Sequence, residues 1–384
     1  MQSKYILSSY HEDYDAFLMV SESAYNADMY YATGFLAYDT FVYLNSKKEK
    51  LLVSDMEIRR AKKESRVKHI VPTSAYSIME KLRKYDEEQA YSEMIAEFLA
   101  SENVKRIAVP YDFPLYIAEC LRKKGFEIIP IKNPFSKKRE IKNEYEIKAI
   151  QKAQKAGEKA LEKALDMIRN AYINNEVLWY EGKPLTAEKI KCIIEYSLIK
   201  EGCEAADIIV ACGKESSNPH WKGEGILLAN QPVVIDIVPR SKQHRYYSDM
   251  TRSVVRGTCT EELKDMYSAV LDSQVAALKK IREGVTGSEI HGIVCDLLEE
   301  RGYETTRKNA KQGFIHSTGH GVGLEIHEAP YLRDHYKELK SGSVVTVEPG
   351  LYYKHIGGIR LEDVVVVTKN GCKNLTMFEK NLVL

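Results

Sequence analysis

The sequence predicts an α/β amino-terminal domain followed by an α+β domain. Three observations lead there. At roughly 150 residues per domain, a chain of 384 residues divides into two or three. Between Arg106 and Ile131 the order is strand, helix, strand, which is an α/β unit. Beyond Asn133-Pro-Phe-Ser-Lys-Lys-Arg139, a polar stretch opened by Asn-Pro, a long helical run gives way to a mixture of helices and strands. That stretch marks the expected boundary, with domains over 1–135 and 136–384.

In the first domain, Phe41–Leu44 and Lys50–Ser54 are apolar runs either side of the turn at Asn45-Ser-Lys-Lys48, and predict strands. Glu87–Ser101 has helical spacing, with Met94, Ile95, Phe98 and Leu99 on one face. Arg106–Pro110 predicts a strand, Pro114–Lys124 a helix ended by Gly125, and Glu127–Ile131 another strand. In the second domain, Asn143–Asn170 is rich in Ala, Lys, Glu and Leu and predicts a long amphipathic helix. Further helices are expected over Thr186–Lys200, Glu261–Arg282 and Ser288–Arg301. Strands are expected over Asp207–Ala211, Val233–Val238, Val344–Val347 and Asp363–Thr368.

Composition narrows the function classes. Hydrophobic residues make up 44% and charged residues 29%, ordinary values for a globular chain. Lys+Arg 56 against Asp+Glu 55 leaves +1, so no charge excess points to nucleic acid or to an acidic membrane. The seven cysteines are scattered and form no C-x-x-C pair, which argues against a disulfide scaffold or a cysteine-built zinc site and for reduced, buried thiols. The amino-terminal stretch MQSKYILSSYHEDYDAF is no secretory signal, and no apolar run approaches the roughly 18 residues of a membrane span. A cytoplasmic protein is expected.

Five residues stand in settings that suit metal ligation. Asp236 follows the apolar run Pro232-Val-Val-Ile235, and Asp249 lies in Tyr246-Tyr-Ser-Asp-Met-Thr-Arg252. His320 occupies His316-Ser-Thr-Gly-His-Gly-Val-Gly-Leu-Glu-Ile-His-Glu328, with Gly319, Gly321 and Gly323 predicting close backbone approach. Glu348 ends a strand in Val344-Val-Thr-Val-Glu-Pro-Gly-Leu-Tyr352, and Glu362 comes in Gly357-Gly-Ile-Arg-Leu-Glu-Asp-Val364. A carboxylate beside an apolar strand is costly to desolvate unless a cation or donor compensates it. Four carboxylates and one imidazole call for positive charge, which two divalent ions supply. Oxygen-rich ligation with a single His suits Mn²⁺, Co²⁺ or Fe²⁺, with Zn²⁺ also open. Taken singly, each residue also has an ordinary reading: a strand-end Asp as a cap or ion-pair partner, Glu-Pro-Gly as a turn, His220 and His316 as packed loop histidines.

The ordered set resembles the pita-bread metallopeptidases, in particular the Xaa-Pro aminopeptidase and Xaa-Pro dipeptidase (prolidase) branch. Four segments carry the resemblance: His-x-x-Gly-His-Gly-x-Gly-x-x-x-His-Glu, Ser-Asp-Met-Thr-Arg, Glu-Pro-Gly-Leu-Tyr and Gly-x-Arg-x-Glu-Asp. Tyr31-Ala-Thr-Gly-Phe35 and the strands after it resemble the amino-terminal domain of that branch and of creatinases. The resemblance implies a creatinase/prolidase-type amino-terminal domain, a pita-bread catalytic domain and two divalent metals, Mn²⁺ foremost. It implies that Asp236 binds one metal, that Asp249 and Glu362 bridge both, and that His320 and Glu348 complete the other. Glu348 is also the expected proton shuttle, and His220 and His327 the histidines that face substrate at the scissile bond. His316 joins the expected substrate-binding set, and Arg360 and Tyr352 are expected to hold the carboxylates. Arg360 most simply neutralises Glu362 or Asp363.

The implied activity is hydrolysis of a Xaa-Pro bond at a peptide's amino terminus or in a dipeptide, by a hydroxide shared between the metals, in a homodimer. A general aminopeptidase of the same fold and a non-catalytic peptide- or protein-binding module are the alternatives. Two features depart from the family pattern. Asp249 follows Asp236 by thirteen residues, which predicts a lengthened hairpin turn. Tyr331 stands where several dipeptidases place a carboxylate-binding Arg, with Arg333 two residues on, which argues against strict dipeptidase specificity.

Overall fold

The structure is a computed structural model and describes residues 13–384; the reading of the amino-terminal stretch falls mostly on residues 1–12, outside the described residues. The chain divides into two compact units, one running to Lys138 and the other from Arg139 to Leu384.

The first unit is built on a sheet of β1 (Ala16–Ser21), β2 (Phe41–Asn45), β3 (Glu49–Val53), β4 (His69–Pro72), β5 (Arg106–Pro110) and β6 (Glu127–Ile131), in the order β4-β3-β2-β1-β5-β6. β1, β2 and β3 pair antiparallel, while β1–β5, β5–β6 and β3–β4 are parallel. Residues of β1 alternate between two apolar layers, as the period of two requires. Leu18 and Val20 join Met94, Ile95, Phe98 and Leu99 of α4 (Glu87–Ser101) and Leu121 of α5 (Leu115–Lys123). Phe17 and Met19 join Met29 of α1 (Ala27–Thr33) and Ala61 of α2 (Ile58–Glu64) on the other face; α3 (Ile78–Leu82) precedes α4. The polar stretch read as the domain boundary is a short helix, α6 (Pro134–Arg139). Phe135 accounts for it: it is buried against Phe17 and Tyr43, and Asn133 Oδ1 accepts from its backbone N–H at 3.1 Å.

The second unit opens with α7 (Glu144–Arg169), whose Asn143 and Glu146 form a capping box. α7 and α8 (Ala187–Lys200) bury Ala160, Leu161, Ile190 and Ile194 against a sheet made later in the chain. A small sheet of β7 (Tyr172–Asn174), β8 (Val177–Tyr180) and β9 (Lys183–Pro184) intervenes. The larger sheet is antiparallel: β10 (Cys203–Cys212), β11 (Pro232–Ser241) and β12 (Met250–Val255). The extra length between Asp236 and Asp249 forms the turn over residues 242–249.

A second helix pair, α9 (Glu261–Lys280) and α10 (Gly287–Glu300), covers a second sheet in the same way. That sheet contains β13 (Gly319–Gly321), β14 (Glu328–Leu332), β15 (Val344–Val347), β18 (Asp363–Val367) and β19 (Cys372–Asn374), in the order β14-β13-β15-β18-β19. The hairpin of β16 (Gly350–Tyr353) and β17 (Gly357–Arg360) lies between β15 and β18 in the chain. β13 is legible only afterwards, because its glycines lack side chains that would show alternation. They are needed for contact: a Cβ on Gly319 would lie 2.0 Å from Thr346 O, and one on Gly321 2.5 Å from Glu328 O. Of the cysteines, Cys203, Cys259 and Cys295 are buried, whereas Cys192 is exposed, against the expectation of burial.

Candidate metal centre

The two sheets of the second unit carry the five expected ligands. Asp236 lies within β11, opposite Ile209 of β10 and Thr251 of β12. Asp249 immediately precedes β12, His320 is the middle residue of β13, Glu348 follows β15, and Glu362 sits between β17 and β18. All five line one cavity of ≈ 550 Å³, together with His220, His316, His327 and Arg360. Asp249, His320 and Glu362 are buried and offer ligand atoms that lie within 4.8 Å of one another. His320 Nε2 is 3.2 Å from Glu348 Oε1 and 3.9 Å from Asp249 Oδ2.

The donor set fits divalent cations. Asp236 Oδ1, Asp249 Oδ1 and Glu362 Oε1 are buried with no hydrogen-bond partner among the described residues. Such oxygens are costly unless a cation meets them. Burial, reinforced by neighbouring carboxylates, pushes Asp249 and Glu362 well above the usual carboxylate range. Burial acts the same way on Glu348, but the hydrogen bond and charge of His320, with His316 and Arg360, hold it below the usual range. Burial lowers His320, and the Glu348 hydrogen bond and charge overcome it, raising the imidazole to about 9. A metal ligand must be deprotonated, so an ion bound at His320 would displace that proton.

Polar side chains behind the ligands fix their orientation. Arg360 donates to Asp236 Oδ2 at 2.6 Å, to Tyr352 Oη at 2.9 Å and to Thr251 Oγ1 at 3.1 Å. Thr251 Oγ1 in turn donates to Glu362 Oε2 at 2.8 Å. Thr346 Oγ1 lies 3.3 Å from Glu348 Oε1 and accepts the backbone N–H of His320 at 3.0 Å. Of the carboxylates expected for Arg360, Glu362 feels its charge, but the direct ion pair is with Asp236. Asp363 faces away from Glu362, as strand alternation demands, and is held by Arg252 at 2.9 Å and Lys380 at 2.6 Å. Sequence reasoning missed Thr251, Thr346 and the Arg252–Asp363 pair. Thr251 is two residues from Asp249, a spacing that a strand places on one face, and that was the available signal.

The expected substrate-facing residues occupy different settings. His327 is exposed at the cavity, with its ring 4.3 Å from that of His320. Burial of the imidazole, with the charge of His320, lowers its pKa. His220 is also exposed at the cavity. His316 is pinned, with Nδ1 2.7 Å from Ser317 O and Nε2 3.0 Å from Tyr352 Oη, and burial lowers its pKa. Tyr331 and Arg333 line the wall as well, with the guanidinium 4.6 Å above the Tyr331 ring.

Comparison with known proteins agrees with this geometry. The Creatinase/Prolidase N-terminal domain matches residues 10–141, and metallopeptidase family M24 matches residues 148–369. The Xaa-Pro dipeptidase of Pyrococcus horikoshii is 32% identical over 367 residues, covering 94% of this chain and 93% of that protein. Among solved structures, the Xaa-Pro dipeptidase from Bacillus anthracis has a TM-score of 0.82 at 29% identity, covering 99% of this chain and 98% of its own. The X-Pro aminopeptidase from Thermotoga maritima has a TM-score of 0.80 at 27% identity, covering 97% and 98%. By sequence and by fold, the chain belongs to metallopeptidase family M24, its pita-bread catalytic domain preceded by a domain of the Creatinase/Prolidase N-terminal type.

Proposed function

We propose that the chain hydrolyses the Xaa-Pro bond at the amino terminus of a peptide or in a Xaa-Pro dipeptide. The observation that carries this reading is the convergence of Asp236, Asp249, His320, Glu348 and Glu362 on one cavity that His220 and His327 also face. The kinship with Xaa-Pro dipeptidases supports the substrate class. Asp236, Asp249, His320, Glu348 and Glu362 would hold two divalent ions, Asp249 and Glu362 serving both. When bound, such ions supply Lewis acidity and a water of lowered pKa. Mn²⁺ is our first choice, ahead of Co²⁺, Fe²⁺ and Zn²⁺, because the set is oxygen-rich.

The protein's own groups do the rest. Glu348 takes the proton of the attacking water on its carboxylate and returns it to the departing proline nitrogen. His327, kept neutral at its lowered pKa, retains one ring N–H to donate to the carbonyl oxygen as charge develops there. His220 faces substrate from the same cavity. His316, Tyr352 and Arg360 form a chain of contacts that fixes Asp236. A Xaa-Pro bond has no amide N–H, so a site that grips the reacting carbonyl suits it better than one that needs a strand-like ladder.

Arg333 on the cavity wall offers a cation for a free carboxylate, which favours dipeptides among the substrates. The family resemblance supports a homodimer, and the odd number of scattered thiols supports a cytoplasmic location. No helix among the described residues is long and apolar enough to cross a membrane.

The test is product analysis on metal-free protein reloaded with Mn²⁺, Co²⁺ or Zn²⁺, offered Ala-Pro, Ala-Pro-Ala and Ala-Ala-Ala. Cleavage of both proline peptides identifies an aminopeptidase, and cleavage of Ala-Pro alone a dipeptidase. Equal cleavage of Ala-Ala-Ala removes the proline requirement. No metal-dependent cleavage of any of them removes the enzymatic reading.

A further inference from the structure

His327 and Glu328 are adjacent, yet only His327 faces the cavity. Glu328 opens β14 and is buried at 5% exposure. Its carboxylate turns into the protein, where Lys142 Nζ stands 2.7 Å from Oε1 and Arg139 3.7 Å from Oε2. Both cations are buried too, at 5% and 6% exposure, and both come from the start of the second unit, just before α7. Arg139 also binds Glu325.

The segment between β13 and β14 closes round this carboxylate. The backbone N–H of Glu325 donates to Glu328 Oε2 at 3.3 Å. A Cβ on Gly323 would lie 2.4 Å from Oε1 and 3.0 Å from Oε2, so the loop backbone rests directly on the carboxylate. Tyr247 also holds the loop: its N–H donates to Gly323 O at 2.7 Å, two residues before Asp249. His327 ends the segment. Its reach over the cavity is therefore set by a group that never enters it.

We propose that Glu328 is a positioning residue. Clamped between Lys142 and Arg139, its carboxylate is the post round which residues 323–327 are wound, and it fixes where the His327 imidazole stands. This rests on the role given above to His327. A buried carboxylate held by two cations has one well-defined place, because moving it would strip charge from charge in a dry setting. Removing that charge lets the loop, and His327 with it, relax away from the reacting carbonyl.

The experiment is a double-mutant cycle on the metal-loaded enzyme with Ala-Pro as substrate: wild type, Glu328→Gln, His327→Ala and the pair. kcat, KM and bound metal by elemental analysis are measured for each. Glu328→Gln is expected to lower kcat about 10²-fold, the scale of a misplaced catalytic group, with KM and metal content unchanged. Added to His327→Ala, it is expected to cost nothing more. Losses that multiply in the pair overturn the proposal while leaving the role of His327 intact, and so does a loss of bound metal in Glu328→Gln. A His327→Ala enzyme with wild-type kcat removes the role of His327 and this proposal together. Should Glu328→Gln fail to fold, Gly323→Ala presses on the same carboxylate without altering any charge. It is expected to show the same kcat loss and non-additivity, and wild-type kcat in that variant overturns the proposal.

Discussion

Arg360 reaches across β12 to bind Asp236 at 2.6 Å, although Glu362 lies only two residues away in its own chain segment. The same guanidinium serves Thr251 and Tyr352, so one planar fork ties the carboxylates of both sheets together. Lys has a single ammonium and cannot serve three partners in fixed directions. Arg360→Lys is expected to keep the fold and lose about ten- to hundred-fold in metal affinity or activity, the usual cost of removing a partner that orients ligands. Metal titration followed by steady-state kinetics checks it.

Asp249 is buried, with ligand atoms of both His320 and Glu362 within 4.8 Å of its own. Asp249→Ala is expected to abolish tight metal binding and activity together. Elemental analysis after dialysis, read beside the Ala-Pro assay, decides it. Full activity in a metal-replete variant would sink the bridging assignment.

Metal-free protein is expected to lose stability as pH rises. Asp249 and Glu362 have pKa values raised in the folded state, so their contribution is present below the ordinary values of 3.8 and 4.5 and is lost as pH passes upward through the raised ones. His320 adds to the trend: its contribution is full below 6.5 and is lost by about 9. All three shifts carry the same sign. His316 and His327 have lowered values and work the other way only up to about their ordinary 6.5, so the melting temperature of metal-free protein should fall from about pH 7 to pH 9, and the increase on adding Mn²⁺ should grow over the same range. A flat profile would contradict the assigned shifts.

The Arg252–Asp363 ion pair is buried at 2% and 1% side-chain exposure. Breaking such a pair leaves an uncompensated charge and costs about 3–5 kcal/mol. Arg252→Met should fall at the low end, because Lys380 still neutralises Asp363. Denaturant unfolding measures the loss.

Arg333 is expected to affect selectivity rather than turnover. Arg333→Ala should raise KM for Ala-Pro several-fold and leave KM for Ala-Pro-amide unchanged. Equal effects on both substrates would remove Arg333 from carboxylate recognition.

The long elements were legible because their periodicity is strong. Asp86 and Asn143 cap helices whose apolar faces repeat at helical spacing, and 87–101 and 144–169 follow from that alone. The ligands were legible because carboxylates beside apolar strands are chemically anomalous. β13 and the hairpin of β16 and β17 were not, because short glycine-rich strands carry no apolar alternation. The helix at Pro134–Arg139 was hidden for a related reason: one aromatic, Phe135, outweighs the five polar residues of Asn133–Arg139 once it has a core to enter.

What residue order fixed was therefore the inventory: two domains, long helices, and four carboxylates with an imidazole that need cations. What the tertiary structure decided was partnership. Arg360 belongs to Asp236, Asp363 to Arg252, Thr251 to Glu362, and Glu328 to Lys142 and Arg139. Each of these pairs joins residues about 110 to 190 positions apart, and local propensity reaches only a few residues along the chain. Which charges meet is set by strand register and packing, and those exist only once the two sheets have closed on each other.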